Sequence, residues 1–425
     1  MRRRSLLAMI PFEAKRCADL QKVLDITRAM VDIADLDSLL RLIIDRAMDL
    51  LDAERASLFL YDAAADELVS RVAEGLEEIR IPARAGIAGS TVTSGQTVNV
   101  PDAYADARFN GDVDRRTGFR TRSILSLPLK DYQGQLVGVL QVLNKRQRPF
   151  DDDDVTLAQT LAAQAGVMLQ RARLIDHYLA KQRMERDMNI ARDIQRRLLP
   201  AAPPQLTGFD VAGFSQPADA TGGDIYDFMP LSAGRCLLLL ADASGHGIGP
   251  ALVIAQTRAT LRALSLCDER PPVMLETANR LLCADLDGGR FVTCFLGMLD
   301  GSAARLAYAA AGHGPMLFYR RGEDAFQQVA ATGLPLGIMD DSQFDSEAFA
   351  FAAGDLAVIT TDGFFEASAP DGELFGIERV MECVRQHRDS PAAEIIARLH
   401  QAVLAFTHNA PQDDDLTAIV VRRME

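Results

Sequence analysis

A chain of 425 residues is long enough for two or three domains, and its 48% hydrophobic and 24% charged content is typical of a globular protein. The formal net charge of −14 argues against a nucleic-acid partner, because phosphate repels an acidic surface. The longest apolar runs fall short of the roughly 20 residues that a membrane span needs, so we expect no stable membrane anchor. Six cysteines, scattered as single residues, are typical of the reduced thiols of a cytoplasmic protein.

The N-terminal region mixes helices with strands. After an N-terminal arm and helix (1–34), residues 35–53 have the leucine and isoleucine spacing of a helix. Two pairs of strand-like runs follow, and the second pair has Gln133-Gly134 at its turn. The acidic run Asp151–Asp154 then predicts the start of another helix, with Asp154 as the N-cap, because a helix N-terminus favours negative charge.

Residues 173–199 predict a helical linker, because they contain no Gly or Pro and are rich in helix formers. An apolar stripe recurs along this segment at spacings of three and four: Met184, Met188, Ala191, Ile194 and Leu198. Pro200 and the following AAPPQ end the helix. Such a stripe either packs on the chain's own domains or pairs with a second copy as a short coiled coil, and we expect a homodimer through this helix.

From residue 200 onwards strands alternate with helices, and aspartates stand at four junctions between strand and turn. The run LLLLADASGHG places Asp242 at the end of an apolar strand, and DLAVITTDG places Asp362 in the same way. Asp224 lies in the glycine-flanked turn TGGD, and the acidic run Asp413–Asp415 directly precedes the last strand. One such aspartate is usually a turn residue, whereas four of them suggest a shared site.

If these aspartates converge, their charges repel one another. Two unit charges ~4 Å apart cost on the order of 4 kcal/mol at an effective dielectric constant of ~20. A cluster of this kind persists when a cation neutralises it, and oxygen ligands without Cys or His favour the hard ions Mg²⁺ and Mn²⁺. The pattern therefore predicts a metal site at the end of the strand that carries Asp242.

Residues 35–172 resemble a GAF domain, a small-molecule sensor with a central antiparallel sheet and flanking helices. The resemblance rests on PDAYADARFNGDVDRRTGFRTRSILSLPL, followed by LNKRQRPF, and is strongest to the GAF domains of cyclic-nucleotide phosphodiesterases. It implies a pocket for a cyclic nucleotide or another small molecule, lined by Asp114, Thr117 and Thr121.

Further positions meet this family's pattern only in part. Its Asn-Lys…Phe…Asp-Glu sequence is matched by four residues: Asn144, Lys145, Phe150 and Asp154. Val155 replaces the glutamate of that pattern, and Gln141 stands where the family has a pocket glutamate. The alternative is that Lys145 and Asp154 simply pair across the fold, and that the pocket is vestigial or binds something else.

Residues from about 195 to 425 resemble a metal-dependent protein phosphatase of the PPM/PP2C class, in particular its bacterial SpoIIE/RsbU subgroup. The matching stretches follow the family's order: ARDIQRRLLP, TGGDIYDF, ADASGHGIGPAL, AAAGHGP, TGLPLGI, TDGFFEA and DDDLTAIVVR. The resemblance implies two antiparallel sheets in an α-β-β-α sandwich. The expected fold is thus α+β, with an N-terminal GAF domain, a helical linker and a C-terminal phosphatase domain (200–425).

The same resemblance implies the ligands of two Mn²⁺ or Mg²⁺ ions. Asp242 would bridge both ions, and the backbone carbonyl of Ala243 would be a further ligand. Asp224 would bind one ion, and Asp362 and Asp414 the other. Asp414 is chosen over its neighbours because the family pattern is Asp-Asp/Asn-x-Thr/Ser. A water bridging the metals would attack phosphorus in line, so no Ser, Cys or His nucleophile would be needed.

Three other residues of the matched motifs have less definite roles. Asp227 would lie behind the ligands at most. His246 and His313 would either donate a proton to the leaving oxygen or only hydrogen-bond to loops and hold them.

Together these patterns predict a sensor-regulated serine/threonine phosphatase that acts on a phosphoprotein such as an anti-sigma-factor antagonist. The competing hypothesis is a non-catalytic scaffold that docks partners, but a degenerate scaffold would usually have lost a metal aspartate. A third hypothesis, a cyclic-nucleotide phosphodiesterase, fails because the sequence has no His/Asp metal cluster of that type.

Overall fold

The computed structural model describes residues 18–70, 79–245, 247–286 and 289–424. The chain forms two compact units, Met1–Arg183 and Met184–Glu425. Within the described ranges, no helix is both long and apolar enough to cross a bilayer.

The N-terminal unit is built on one antiparallel sheet of six strands. In chain order these are β1 (Ala53–Asp62), β2 (Glu67–Ser70), β3 (Ile79–Pro82), β4 (Val98–Val100), β5 (Ile124–Lys130) and β6 (Leu136–Lys145). Across the sheet the order is β3-β2-β1-β6-β5-β4. Gly134 has a φ of 83° in the β5–β6 turn, a conformation that favours glycine, so the hairpin predicted at Gln133-Gly134 is confirmed.

Helices cover both faces of this sheet. The helices of this unit are α1 (18–31), α2 (Leu36–Leu51), α3 (Gly86–Ser94), α4 (Asp112–Thr117) and the first part of α5 (Asp152–Leu198), with a 3₁₀ turn at Ala103–Ala105. Met30, Leu40 and Leu161, from α1, α2 and α5, share one core with residues of β1 and β5. On the opposite face, Ala88 of α3 packs with Val139 of β6. The predicted antiparallel sheet with flanking helices is confirmed.

Helix α5 is one continuous helix of 47 residues that contains both the last helix predicted for the N-terminal region and the predicted linker. It begins earlier than predicted, because Asp151 caps it and Asp154 lies inside its first turn. Asp151 Oδ1 accepts from the Asp154 N–H at 3.0 Å, and Asp154 Oδ2 accepts from the Asp151 N–H at 3.1 Å. This reciprocal pair satisfies two backbone donors that the helix itself leaves unbonded.

The C-terminal unit contains two five-stranded antiparallel sheets. The first, in the order β14-β11-β10-β9-β8, comprises β8 (Asp224–Pro230), β9 (Arg235–Ala243), β10 (Val292–Asp300), β11 (Arg305–Ala311) and β14 (Glu347–Ala350). The second, in the order β13-β12-β15-β16-β7, comprises β7 (Phe209–Gln216), β12 (Met316–Arg320), β13 (Ala325–Val329), β15 (Leu356–Thr360) and β16 (Leu416–Arg423).

The two sheets pack face to face and carry helices on their outer faces. These helices are α6 (Ile248–Leu264), α7 (Pro271–Asp285), α8 (Gly363–Glu366), α9 (Gly376–Gln386) and α10 (Ala392–Phe406). Phe295 and Phe318 belong to the core between the sheets. Ile254 of α6 packs on the first sheet, and Leu399 of α10 packs on the second. The α-β-β-α sandwich is therefore confirmed.

Candidate active site

The four aspartates predicted to share a site lie at strand ends of both sheets of the sandwich. Asp224 begins β8, Asp242 lies near the end of β9, and the two are cross-strand partners. In the other sheet, Asp362 lies between β15 and α8, and Asp414 lies just before β16. The fold thus brings carboxylates from four distant stretches of sequence to strand ends of the same unit.

Burial and mutual repulsion raise the pKa values of three of these carboxylates. Burial and the charges of Asp362 and Asp414 raise the pKa of Asp242 to about 7. Burial and the charges of Asp242 and Asp415 raise the pKa of Asp224 well above its usual range. Burial and the charge of Asp414 also raise the pKa of Asp362. Each predicted ligand therefore lies within electrostatic reach of another, and the site holds an excess of negative charge.

This arrangement fits a hard divalent cation. The donors are oxygen atoms, which Mg²⁺ and Mn²⁺ prefer, and a cation would relieve the repulsion that raises the pKa values. In the part of the chain that the structure describes, no three carboxylate, imidazole or thiol groups are packed closely enough to enclose a metal by themselves. The aspartates would therefore have to close further around an ion.

The backbone of Ala243 lies against the turn that carries Asp224. A Cβ placed on Gly223 would lie 2.6 Å from the carbonyl oxygen of Ala243 and 3.3 Å from Asp242 Oδ1, so only glycine permits this approach. The Ala243 N–H donates to the Gly223 carbonyl at 3.0 Å. The Ala243 carbonyl oxygen thus lies close to the turn that leads into Asp224.

Asp415 holds this turn in place, a role that the sequence did not reveal. Its Oδ1 accepts from the Ala218 N–H at 2.8 Å, and its Oδ2 accepts from the Asp224 N–H at 3.2 Å. Asp414 is exposed instead, and its carboxylate accepts from the Asp415 N–H at 2.8 Å. Because both oxygens of Asp415 already bind backbone amides, the geometry favours Asp414 as the ligand.

A threonine hydroxyl, also missed at the sequence level, supports Asp224. Thr361 Oγ1 donates to Asp224 Oδ2 at 2.8 Å and accepts from the Thr417 N–H at 3.0 Å. This bond links the start of β8 to the ends of β15 and β16, so it couples the two sheets at the site.

Asp227 joins β8 to helix α6. It is fully buried, and it lies 2.9 Å from Arg258 Nε and 2.8 Å from Arg262 Nη2. Asp224 and Asp227 are an odd number of residues apart, so their side chains point to opposite faces of the strand. The contacts of Asp227 are those of a structural ion pair.

Of the two histidines in the matched motifs, the structure describes only His313. His246 lies outside the described residues. His313 is buried, with Nδ1 3.4 Å from Thr293 Oγ1, and burial lowers its pKa to about 4. Its ring is therefore uncharged at neutral pH and is poorly suited to donate a proton, which favours the alternative that it holds loops.

In the N-terminal unit, two of the predicted pocket residues bind each other. Asp114 Oδ2 accepts from the Thr121 N–H at 2.7 Å and from the Tyr104 hydroxyl at 3.0 Å, and its Oδ1 accepts from Thr121 Oγ1 at 2.8 Å. The side chain of Thr117 lies outside the described part of the chain. Both oxygens of Asp114 are thus engaged within the fold.

The predicted pairing of Lys145 with Asp154 is confirmed. Lys145 Nζ lies 2.9 Å from Asp154 Oδ1, and both side chains are only 10% exposed. Lys145 also donates to the Leu51 carbonyl at 2.8 Å, and Arg148 donates to Asp154 Oδ2 at 2.9 Å. These residues hold the start of α5 against the sheet and helix α2.

Comparison with known families identifies two regions of the chain. The family described as Stage II sporulation protein E (SpoIIE) matches residues 232–424, and the GAF domain family matches residues 35–169. Both families are the ones that the sequence motifs resemble.

Individual relatives match one or the other region. The phosphoserine phosphatase RsbU of Bacillus subtilis is 29% identical over 248 residues, which are 57% of this chain and 72% of RsbU. The probable 3',5'-cyclic phosphodiesterase pde-5 of Caenorhabditis elegans is 34% identical over 169 residues, which are 36% of this chain but only 23% of the relative. The solved SiaA-PP2C domain of Pseudomonas aeruginosa shares the fold, with a TM-score of 0.51 and 24% identity over 58% of this chain and 99% of that domain.

Proposed function

We propose that this chain, which joins a GAF domain to a SpoIIE-type serine/threonine phosphatase domain, is a sensor-regulated and metal-dependent phosphatase of phosphoproteins. The observation that carries the proposal is the convergence of Asp224, Asp242, Asp362 and Asp414 from four separate stretches of sequence. The similarity to RsbU, which is named a phosphoserine phosphatase, supports the class of reaction.

The four aspartates and one carbonyl would hold the metal. Asp242 would help to hold both ions, Asp224 would hold one of them, Asp362 and Asp414 would hold the other, and the Ala243 carbonyl would add a ligand. When bound, two divalent ions supply Lewis-acid chemistry, which lowers the pKa of water and binds phosphoryl oxygens.

Side chains beside the proposed metal ligands hold these ligands in position. The Thr361 hydroxyl orients one oxygen of Asp224, and Asp415 holds the turn that precedes it. Asp242 has a pKa of about 7 and must be fully ionised to act as a ligand, so metal binding near neutral pH should release protons.

We propose a phosphoserine or phosphothreonine on a small signalling protein, of the anti-sigma-factor antagonist type, as the substrate. Asp414 is exposed at the rim of the site, so a phosphorylated side chain on the surface of another protein can reach it. The RsbU similarity supports a substrate that is phosphorylated on serine.

Metal-dependent hydrolysis of p-nitrophenyl phosphate and of a phosphoserine protein tests this function. Wild type should turn over in Mn²⁺ or Mg²⁺ and stop in EDTA, and Asp242→Asn should lose at least about 100-fold in rate, because it weakens both proposed metal positions. Asp413→Asn is the matched control, since the Asp413 carboxylate accepts from the Ser368 hydroxyl at 2.9 Å. A folded Asp242→Asn protein with wild-type turnover would refute the site.

We also propose that α5 pairs in a parallel homodimer that connects sensor and phosphatase. Leu198 packs against the core of the C-terminal unit, whereas Met184 and Ile194 are 69% and 58% exposed. Exposed apolar residues along a helix stripe are typical of a coiled-coil seam. Burial of each such side chain contributes about 1.5–3 kcal/mol, which can offset the loss of freedom on association.

Light scattering on the full chain tests the dimer. Ile194→Glu would place a carboxylate next to its copy in the seam, so it should yield monomers and abolish ligand control of activity. Arg196→Glu is the control, because it changes the charge more but lies on the opposite side of the helix. A wild type that is monomeric at micromolar concentrations, or an Ile194→Glu protein that stays dimeric, would contradict the proposal.

For the GAF domain we propose a cyclic nucleotide as the ligand, supported by the similarity to a probable cyclic phosphodiesterase. The ligand would have to replace hydrogen bonds between Asp114 and Thr121. Calorimetry with both common cyclic nucleotides should show heat that Thr121→Val reduces, and the lack of any heat with wild type would exclude this ligand class.

A further inference from the structure

The last turns of α5 hold the turn that leads into Asp224. Gln195 Nε2 donates to the Gly222 carbonyl at 2.7 Å, and Gln195 Oε1 accepts from the Gly222 N–H at 3.0 Å. On the preceding turn of the helix, Arg192 Nε donates to the Ala220 carbonyl at 3.0 Å. The side-chain amide of Gln195 thus satisfies both backbone groups of one residue, as a neighbouring strand would.

On its other side, the same turn is held by Asp415. The Asp415 carboxylate accepts from the N–H groups of Ala218 and Asp224. The packing there is tight, because a Cβ placed on Gly222 would lie 2.1 Å from Asp415 Oδ2. Gly222 therefore lies between a glutamine amide of the helix and a carboxylate that directly precedes β16.

The turn at Gly222 must hold Asp224 against the repulsion between carboxylates. Asp224 is buried two residues beyond Gly222, and its cross-strand partner is Asp242, so two carboxylates of like charge lie beside each other. A turn free to move would swing Asp224 away from Asp242. Metal ligands keep a productive geometry only when groups behind them hold them in place.

We propose that Gln195 is a positioning residue of the metal centre, which through its paired hydrogen bonds to Gly222 holds Asp224 beside Asp242. The inference rests on the proposed function, since it takes Asp224 as a metal ligand. It extends the working part of the phosphatase beyond the matched family region, because Gln195 and Asp224 both precede residue 232. Gln195 itself is assigned no contact with metal or substrate.

Calorimetric titration of the full chain with Mn²⁺ tests the proposal. Gln195→Ala and Gln195→Met should each weaken Mn²⁺ binding by about 10-fold or more, the range expected for groups that orient metal ligands. Methionine keeps the length of the side chain and removes both hydrogen bonds, so it separates hydrogen bonding from packing. The matched control is Gln182→Ala, an exposed glutamine of the same helix whose Nε2 donates to the Tyr178 hydroxyl at 3.0 Å.

Hydrogen exchange in EDTA supplies a readout that does not depend on metal or turnover. The Gly222 amide should exchange faster in Gln195→Met than in Gln182→Ala, because its acceptor is gone. If Gln195→Met binds Mn²⁺ as tightly as the control, the proposal is overturned, whether or not exchange is faster.

The variant Asp224→Asn separates this inference from the proposed function. If wild type binds no Mn²⁺, the metal centre itself is wrong. If wild type binds Mn²⁺ and Asp224→Asn abolishes binding while Gln195→Met does not weaken it, only the role of Gln195 is wrong.

Discussion

Both units of the molecule contain aspartates that are largely shielded from solvent, but the surroundings of Asp154 in the N-terminal unit and of Asp242 in the C-terminal unit have opposite charge. In the N-terminal unit, Asp154 contacts Lys145 and Arg148, and Asp114 accepts three hydrogen bonds. In the C-terminal unit, Asp224 and Asp242 lie beside each other and near further carboxylates.

The difference separates a structural carboxylate from a candidate metal ligand. A buried charge is tolerated when it is paired or fully hydrogen-bonded. Where the chain supplies the cation, as at Lys145, nothing else has to bind. Where the chain supplies mainly like charge, as around Asp242, a cation from solution is the natural partner.

The strongest test of this comparison removes the paired charge of Asp154 from the N-terminal unit. Asp154→Asn leaves Lys145 buried without its counter-ion and should lower the free energy of unfolding by about 3–5 kcal/mol. Urea denaturation followed by circular dichroism measures this, with exposed Asp152→Asn as the control. A change as small as that of the control would show that the pair is not structural.

In the C-terminal unit, neutralisation of an aspartate should affect metal binding. Asp414→Asn should weaken Mn²⁺ binding by at least about 100-fold, since it removes a proposed ligand. Asp413→Asn, the adjacent exposed aspartate, should leave the affinity unchanged. Calorimetry would contradict the assignment if the two variants behaved alike.

His313 offers a buried titratable group that lies outside the carboxylate cluster. Its folded pKa of about 4 lies below the usual value near 6.5, so the unfolded state takes up a proton first as the pH falls between these values. Wild type should therefore lose on the order of 2–3 kcal/mol of stability across that window because of this group. His313→Asn should flatten the pH dependence, and exposed His408→Asn should retain it, as measured by denaturation at several pH values.

The smallest expected effect is a stabilisation, in contrast to the destabilisation expected of Asp154→Asn. In EDTA at pH 8, Asp242→Asn should raise the free energy of unfolding by about 1–2 kcal/mol, because it removes a half-buried charge that its neighbours repel. Destabilisation in metal-free protein would mean that Asp242 is held by donors, as Asp154 is.

Local features of this protein follow from its sequence. Alternation and turn residues predict the β5–β6 hairpin at Gly134, and helix-forming composition predicts the helix through 173–199. Apolar runs that end in aspartate predict the strands before Asp242 and Asp362. These features depend on backbone preferences over a few residues, which is why they can be read without a fold.

Other features were decided only by tertiary contacts. Three adjacent aspartates do not show which of them faces the Asp224 turn, and the fold assigns that place to Asp415. The cap of α5 depends on where the helix begins, and because it begins at Asp152, Asp151 takes the cap position and accepts from the Asp154 N–H.

The sequence by itself thus determined that carboxylates end several strands, and that helices and strands follow one another in this order. Only the tertiary structure decided that Asp224 and Asp242 stand side by side and that Gln195 reaches Gly222. The physical reason is that strand ends and side-chain directions are local properties. Electrostatic repulsion and paired hydrogen bonds, by contrast, exist only between groups that packing of the two sheets and α5 has brought together.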